Sequence, residues 1–293
     1  MNFKDIEQNI SELTSQPFVV TNQAGVGGGC INTAMKLSGS DRSYFLKLNN
    51  ANRLDMFEAE AAGLNELALA NAIRVPKPIC YGVSGPQSYI VLEHLEMGGT
   101  SRDVMHEFGE QLAQLHRHTN DQFGWYRENT IGATPQANTQ ADNWIEFYAQ
   151  SRLRFQIEMA AGRGITSSTV DNTCRIIERL ADFFAGYKPP ASLLHGDLWS
   201  GNYGVMSSGE PVIFDPATYY GDREADLAMS ELFGGFGREF YAAYDASWPI
   251  DVGYPVRKTL YNLYHILNHF NMFGGGYGSQ ADSMASELLA EVT

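Results

Sequence analysis

Hydrophobic and polar residues follow two different patterns along the chain, and the first third is dominated by short apolar runs. Five of these runs are predicted as β-strands, at residues 18–21, 31–37, 43–48, 79–83 and 88–95. Two segments instead show helical periodicity, residues 3–14 and residues 54–71, the second rich in Ala, Leu and Glu. The glycine cluster at 25–29 and the SGSDR segment at 38–42 are typical of turns between strands.

Beyond Gly98 and Gly99 the pattern becomes helical. Helices are predicted at about 102–119, 142–160, 168–186, 224–233, 237–247 and 253–271. One small hairpin interrupts them, with strands at 202–206 and 211–215. The order of elements predicts an α+β protein with a two-lobed, protein-kinase-like fold. Residues 1–96 would form a small β-rich nucleotide-binding lobe, and residues 97–293 a larger, mostly helical lobe for catalysis and substrate binding, with a cleft between them.

Charge and cysteine content exclude several classes of protein. The 293 residues contain 34 Asp and Glu against 20 Lys and Arg, a net charge of −14, which disfavours binding to nucleic acid or to an anionic membrane surface. No apolar run approaches the length of a membrane span. Cys30, Cys80 and Cys174 are too few and too scattered for a disulfide framework or a zinc site. A cytoplasmic location is therefore expected.

The candidate chemistry is concentrated in LLHGDLWSGN (193–202) and VIFDPA (212–217). Phosphoryl transfer needs a carboxylate that takes the proton of the acceptor hydroxyl, and oxygen ligands for Mg²⁺ ions that bridge the phosphates of ATP. In kinases the base and an Mg²⁺-binding Asn lie five residues apart, and a second Asp follows a hairpin. Asp197 and Asn202 have that spacing, and Asp215 ends the predicted hairpin. We predict Asp197 as the catalytic base, and Asn202 and Asp215 as metal ligands.

Two positions of this motif differ from protein kinases. Gly196 replaces the arginine of H-R-D, and D-P-A replaces D-F-G. These changes are typical of small-molecule kinases. His195 is interpreted as a buried residue that holds the loop by hydrogen bonds.

The first lobe provides candidate nucleotide-binding residues. Lys47 lies on the apolar strand SYFLKL and is predicted to hold the α- and β-phosphates, with Glu60, rather than Glu58, orienting it. Gly27, Gly28 and Gly29 would allow a loop to approach the phosphates closely, although the loop matches no full phosphate-binding motif. Backbone groups of Glu93, His94 and Leu95 are expected to contact adenine at the lobe junction.

The chain resembles the fructosamine kinase (ketosamine-3-kinase) family of the aminoglycoside-phosphotransferase-like group. The resemblance depends on GGGCIN (27–32), FGWYRENTIGATPQANTQADNW (123–144), LLHGDLWSGN (193–202) and FDPATYYGDREADLAMSELFGGF (214–236). It implies ATP-dependent phosphorylation of a ketosamine, free or as a glycated lysine of a protein, at the third hydroxyl of the sugar, after which the adduct decomposes and releases the amine. It also implies that Asp197 is the base, that residues 93–95 contact adenine and that Trp199 faces the sugar. A core position for Trp199 is equally open.

Other residues have less specific interpretations. Asp222 and Asp226 are expected to brace the catalytic loop at a helix N-terminus. His265 and His269 have a metal-ligand spacing but are interpreted as cleft or core residues. Cys30 follows the glycines, and family members with a cysteine there resemble redox-sensitive kinases, which suggests a redox-linked homodimer.

Two other functions remain open. The first is a kinase for another amino sugar or an aminoglycoside. The second is a nucleotide-sensing pseudokinase, which is disfavoured because Lys47, Asp197, Asn202 and Asp215 are all present.

Overall fold

The N-terminal lobe contains an antiparallel sheet in which five strands follow the order β1-β2-β3-β5-β4. The computed structural model describes residues 3–27 and 31–292. The strands are β1 (Asn22–Gly25), β2 (Thr33–Ser38), β3 (Ser43–Asn50), β4 (Pro78–Ser84) and β5 (Gln87–Glu93). Helix α1 (Lys4–Thr14) precedes the sheet, and α2 (Leu54–Leu69) connects β3 to β4.

The alternation of side chains along β3 separates two cores. Tyr44, Leu46 and Leu48 belong to a cluster shared with Ile6 and Ile10 of α1. The intervening Phe45 and Lys47 therefore face the opposite side of the sheet, since successive side chains of a strand point to opposite faces. Phe45 packs against the large core that also contains α2 residues. This alternation directs Lys47, the charged residue of β3, toward α2.

The predicted strand at 18–21 is wrong. Phe18 is buried and makes an edge contact with Tyr44 at 4.9 Å, whereas Val19 is 65% exposed. The first strand begins at Asn22 and has an exposed, polar sequence. Its pairing with β2 is therefore decided by backbone hydrogen bonds at a sheet edge, which side-chain hydropathy does not report.

The C-terminal lobe is mainly helical, as predicted. Its helices are α3 (Arg102–His116), α4 (Trp144–Phe147), α5 (Phe155–Gly162), α6 (Ser167–Glu178), α7 (Glu224–Leu232), α8 (Arg238–Ser247), α9 (Tyr254–Phe273) and α10 (Tyr277–Glu291). The linker between β5 and α3 includes the predicted division at residues 96 and 97, and Gly98 N–H donates to Val205 O at 2.7 Å. No helix of the described segments is long and apolar enough to span a bilayer.

The predicted helix at 142–160 is interrupted by a π-helical stretch at Tyr148–Arg154. Arg152 in this stretch is fully buried, donates to Ala137 O at 2.5 Å, and lies 4.0 Å from the ring centre of Tyr219. π-Helical stretches within α-helices are frequent at functional sites. Here the insertion accompanies a buried cation, which hydropathy alone does not predict.

Short strands position the loops of the candidate site. A three-stranded sheet has the order β12 (Tyr219–Gly221), β9 (Ala191–Leu194), β6 (Thr119–Asn120). The hydropathy pattern predicts none of these three strands, because apolar runs this short do not distinguish strand from loop. The predicted hairpin is present as β10 (Tyr203–Val205) and β11 (Pro211–Ile213), and a further hairpin consists of β7 (Asn129–Ile131) and β8 (Thr134–Gln136). Since Tyr219 pairs with Leu194, the residues after β9 lie beside those before β12.

Candidate active site

Asp197 lies on the loop that leaves β9, and Asn202 holds it there. The Asn202 Nδ2 group donates to the Asp197 carbonyl at 2.8 Å and to Asp197 Oδ2 at 3.1 Å. Burial raises the pKa of Asp197 to about 7; the Asn202 hydrogen bond opposes this shift, and the nearby carboxylates of Asp215 and Asp226 add to it. A carboxyl group with a pKa near neutrality is well suited to accept a proton at physiological pH.

His195 fixes the backbone of this loop. Its Nε2–H donates to Phe214 O at 3.0 Å, so Nδ1 is the acceptor for the Asp197 N–H at 3.3 Å. The ring is fully buried, and burial lowers its pKa, which keeps it neutral. These contacts support the interpretation of His195 as a loop-holding residue.

Gly196 cannot be replaced by arginine without moving the backbone. Its φ is +83°, and an added Cβ would lie 2.1 Å from Ala217 O. Both the left-handed backbone and the close approach of Ala217 require glycine. Glycine is therefore required where H-R-D has arginine, because Ala217, in the segment that follows Asp215, lies too close for a side chain.

Asp226 braces the catalytic loop from helix α7. Its carboxylate accepts the backbone N–H groups of His195 at 2.7 Å and Gly196 at 2.8 Å. His116 donates from Nε2 to the same carboxylate at 3.2 Å, while its Nδ1 accepts from Tyr244 at 2.8 Å. The bracing by Asp226 agrees with the expectation from its place at a helix N-terminus, whereas no sequence pattern singles out His116.

Asp222 has a different role from the one expected. It accepts hydrogen bonds from the hydroxyl groups of Tyr187 at 2.9 Å and Tyr261 at 2.6 Å, and from the Glu224 N–H at 3.0 Å. These contacts connect helix α7 to its neighbours. Asp222 therefore stabilises the helical lobe and not the catalytic loop.

Lys47, Glu60 and Asp215 meet in the cleft. Lys47 is 5% exposed, with its Nζ 2.6 Å from Glu60 Oε1 and in contact with Asp215 Oδ1. Burial lowers the pKa of Lys47, but the charges of Asp215 and Glu60 outweigh this effect and raise it overall, so the ammonium stays protonated. Glu58 instead lines a groove on the outer side of α2 with Tyr81 and other residues.

Helix α2 is attached to the segment that follows Asp215. Tyr220 donates its hydroxyl to Glu66 at 2.7 Å. An added Cβ at Gly63 would lie 2.9 Å from Thr218 Oγ1, so the helix and this segment are in close contact. Glu60 is therefore positioned by both lobes.

The β7–β8 hairpin supports the same segment with buried carboxamides. Gln136 Nε2 donates to Ala217 O at 3.0 Å, and Asn129 Nδ2 donates to Thr218 O at 2.8 Å. Tyr264 in turn donates to Gln136 Oε1 at 2.6 Å. Sequence analysis singled out the stretch 123–144 but gave these residues no role. The signal available there was the group of carboxamide residues, Asn129, Gln136 and Asn138, within one short segment.

Asp215 and Asn202 could together hold one metal ion. Asn202 uses its Nδ2 for the loop, which leaves its Oδ1 for a cation, and the Asp215 side chain is 45% exposed toward the cleft. Mg²⁺ is usually bound by one or two protein groups together with phosphate oxygens and water. Within residues 3–27 and 31–292 no group of three or more His, Cys, Asp or Glu forms a metal cage. The donor set therefore fits Mg²⁺ that arrives with a nucleotide.

Asp215 has a backbone conformation that is uncommon for residues other than glycine. Its φ is +58°. Asp and Asn tolerate this region better than most residues, and such conformations cluster at functional sites. This backbone places the carboxylate next to Lys47.

The remaining predicted residues lie around this centre or outside the described chain. Trp199 is half-buried, with its ring over Gly201 and 6.0 Å from the ring of Phe233, so it is not a core residue. Gly27 is exposed, whereas Gly28, Gly29 and Cys30 lie outside the described residues. A thiol site for redox chemistry is not expected at Cys80, because burial raises the pKa of that thiol to about 12.

The lobe junction is held by Glu93. Arg74 Nη2 donates to both oxygens of its carboxylate at 2.5 Å, and the Glu93 N–H donates to Lys77 O at 2.8 Å. His94 and Leu95 follow, half-buried. Glu93 therefore fixes the start of the linker, and adenine recognition by residues 93–95 stays a prediction.

Comparison with known proteins gives matches over nearly the whole chain. The family model described as fructosamine kinase matches residues 2–291. A probable ketoamine kinase of Synechocystis sp. is 48% identical over 288 residues, 98% of this chain and 97% of that protein. A chloroplastic protein-ribulosamine 3-kinase of Oryza sativa subsp. japonica is 43% identical over 273 residues, 92% of this chain and 79% of that protein.

A solved structure has the same architecture. The crystal structure of a putative fructosamine-3-kinase from Haemophilus somnus superposes with a TM-score of 0.90 at 29% identity, covering 98% of this chain and 97% of that one. The prediction of a two-lobed, kinase-like α+β fold is confirmed.

The contact between Lys47 and Glu60 predicts that substitutions of Glu60 and of Glu58 change ATP affinity to different extents. We expect Glu60→Gln to weaken ATP binding about tenfold or more, since a buried ammonium loses one of its two anionic partners. Glu58→Gln is the matched control on the same helix and should change ATP affinity less than about twofold. Isothermal calorimetry measures both, and equal losses in the two variants would contradict the assignment of Glu60.

Proposed function

The chain belongs to the fructosamine kinase family, and from that premise we propose that it transfers the γ-phosphoryl group of ATP to the third hydroxyl of the sugar of a ketosamine. The relatives named as ketoamine and ribulosamine kinases support this substrate class. The observation that carries the proposal is the position of Asp197, tied through Asn202 to Asp215 and thus to the Lys47–Glu60 pair. A proton acceptor and a phosphate-binding cation lie on one continuous network.

Each residue has a defined part in this proposal. Lys47 binds the α- and β-phosphates, and Glu60 orients it. Asp197 accepts the proton of the sugar hydroxyl as its oxygen attacks the γ-phosphorus, and the bond from that phosphorus to the bridging oxygen of ADP breaks. Asn202 holds the Asp197 carboxylate in place through its Nδ2–H. Trp199, two positions further along the half-buried loop, is placed to contact the sugar.

Asn202 and Asp215 are the residues that would hold Mg²⁺. When bound, the ion neutralises charge on the phosphates. Asn202 also links the two loops of the proposed site, because its Nδ2 group donates to Asp197 Oδ2 and to the Asp215 carbonyl.

The chemistry of the proposed product indicates what the reaction would achieve. A phosphate at the third carbon is a good leaving group near the carbonyl carbon of the ketosamine. We propose that the product decomposes, releases the original amine and so removes the sugar from a glycated amine or lysine.

A substrate panel tests the proposed function. The purified protein should consume ATP with fructoselysine and ribuloselysine, and kcat/KM on kanamycin should be at least about 100-fold lower. Phosphorus NMR of the product should locate the new ester at the third carbon. Comparable kcat/KM on kanamycin would favour the aminoglycoside kinase instead. ATP binding without turnover on any of these compounds would favour a nucleotide sensor.

The raised pKa of Asp197 predicts a pH dependence with a definite sign. A base works in its ionised form, so kcat/KM should rise with pH as Asp197 loses its proton, with a midpoint at about 7. Asp197→Asn should retain ATP binding and lose about 10²–10⁴-fold in kcat/KM, and its residual rate should lack this step. Initial rates measured between about pH 5 and 9 provide the profile. A wild-type profile that is flat across neutrality would contradict the assignment of the base.

The metal site predicts an effect on nucleotide affinity that is independent of turnover. Asp215→Asn removes the carboxylate charge, and asparagine tolerates the positive φ of this position. We expect Mg²⁺ to strengthen ATP binding to the wild type and to lose most of that effect in the variant. Calorimetry with and without Mg²⁺ measures it. Asp182→Ala, at an exposed ion pair with Arg179, is the control, and an unchanged Mg²⁺ effect in Asp215→Asn would move the metal elsewhere.

A further inference from the structure

A row of five rings extends from the catalytic loop across the C-terminal helices. We define this aromatic row as Trp199, Phe233, His269, Phe273 and Tyr277. Ring centres are 6.0 Å apart between Trp199 and Phe233, and 5.0 Å apart between Phe233 and His269. His269 lies 5.1 Å from Tyr277 and 5.9 Å from Phe273. The contacts are continuous from one end to the other.

The aromatic row lies at the surface. Phe233 is 36% exposed, Phe273 is 56% exposed, and the other three rings are half-buried. Phe273 ends α9 and Tyr277 begins α10, so these rings meet at the ends of helices and not along packed helix faces. A continuous, partly exposed aromatic surface that begins two residues after the proposed base is a candidate for binding substrate.

His269 adds one hydrogen-bond acceptor to this apolar surface. Its Nδ1–H donates to His265 O at 2.7 Å, which assigns the proton to Nδ1 and leaves the lone pair of Nε2 as the acceptor. Burial lowers the pKa of His269, so the ring stays neutral. The row therefore combines ring faces with one fixed acceptor.

The chemistry of a ketosamine matches this combination. Its nitrogen is a secondary ammonium, with a positive charge and two N–H donors, and it connects the sugar to a substituent that varies between substrates. Aromatic faces attract an ammonium group, and they bury an apolar substituent. The net charge of −14 also favours a cationic ligand.

We propose that the aromatic row beyond Trp199 binds the amine half of the ketosamine, with Phe233, Phe273 and Tyr277 against the substituent of the nitrogen. His269 Nε2 accepts a hydrogen bond from the ammonium group. This proposal rests on the proposed function and adds a specificity to it: ketosamines of aromatic or long apolar amines are preferred over those of small amines with the same sugar.

The test compares two substrates that differ only in the amine. Fructosyl-benzylamine and fructosyl-methylamine carry the same sugar, and the ratio of their kcat/KM values reports the amine half alone. We expect a ratio of about 10 or more for the wild type, falling about tenfold in Phe273→Ala, mainly through KM of the benzylamine compound. Phe273 is exposed enough for the variant to fold, and thermal unfolding checks this. Tyr81→Ala, at a 44% exposed aromatic residue of β4, is the matched control and should keep the wild-type ratio.

His269→Phe is the second variant, since it keeps a ring and removes the acceptor. It should raise KM for both ketosamines several-fold, because both have the ammonium group, and should leave the amine ratio near that of the wild type. A ratio near 1 in the wild type, or a ratio unchanged in Phe273→Ala, would overturn the proposal while leaving the kinase activity established. Absence of turnover on both ketosamines would instead contradict the proposed function itself.

Discussion

The active centre depends on one buried ammonium group. Lys47 comes from β3, Glu60 from α2 and Asp215 from the segment after the β10–β11 hairpin, and the three meet where 5% of Lys47 is exposed. A cation cannot be removed from water at this depth without anionic partners. The sheet, the helix and the helical lobe must therefore adopt one relative arrangement, and the same arrangement places Lys47 in the cleft where we propose that it binds phosphate.

Hydrogen bonds with buried polar groups hold the loop that carries Asp197 in place. Asp226 accepts two consecutive backbone N–H groups, and Gln136 and Asn129 donate to the carbonyls of Ala217 and Thr218. These contacts satisfy the backbone of two adjacent loops inside the protein, where an unpaired group would be costly. Burial also raises the pKa of Asp197, on the same loop, to about 7. Buried hydrogen bonds therefore fix this loop, and burial shifts the pKa of the carboxyl group that it carries.

The family-specific stretches of the sequence have structural roles that differ from those of the general kinase residues. Stretch 123–144 forms the hairpin that supports the segment after Asp215, and stretch 214–236 contributes both that segment and Asp226. Phe233, at the end of the second stretch, contacts Trp199. The same short regions therefore hold the loop of Asp197 in position and contribute to the surface beside it.

The sequence by itself determined the two-lobed α+β class, and it pointed to Asp197, Asn202, Asp215 and Lys47 as candidate site residues, because periodicity and motif spacing are local properties. The short strands β9 and β12, the interruption at Tyr148–Arg154 and the absence of a strand at 18–21 were decided by the tertiary structure. In each case the local structure depends on a residue distant in the sequence. Strands β9 and β12 form by pairing with each other, Arg152 of the interrupted helix contacts Tyr219, and Phe18 packs against the ring of Tyr44. The sequence predicted Glu60 rather than Glu58 as the partner of Lys47, and Glu60 Oε1 lies 2.6 Å from Lys47 Nζ. The need for glycine at position 196 and the assembly of the aromatic row were decided by the tertiary structure. These depend on distances between residues far apart in the chain, which only the folded protein fixes.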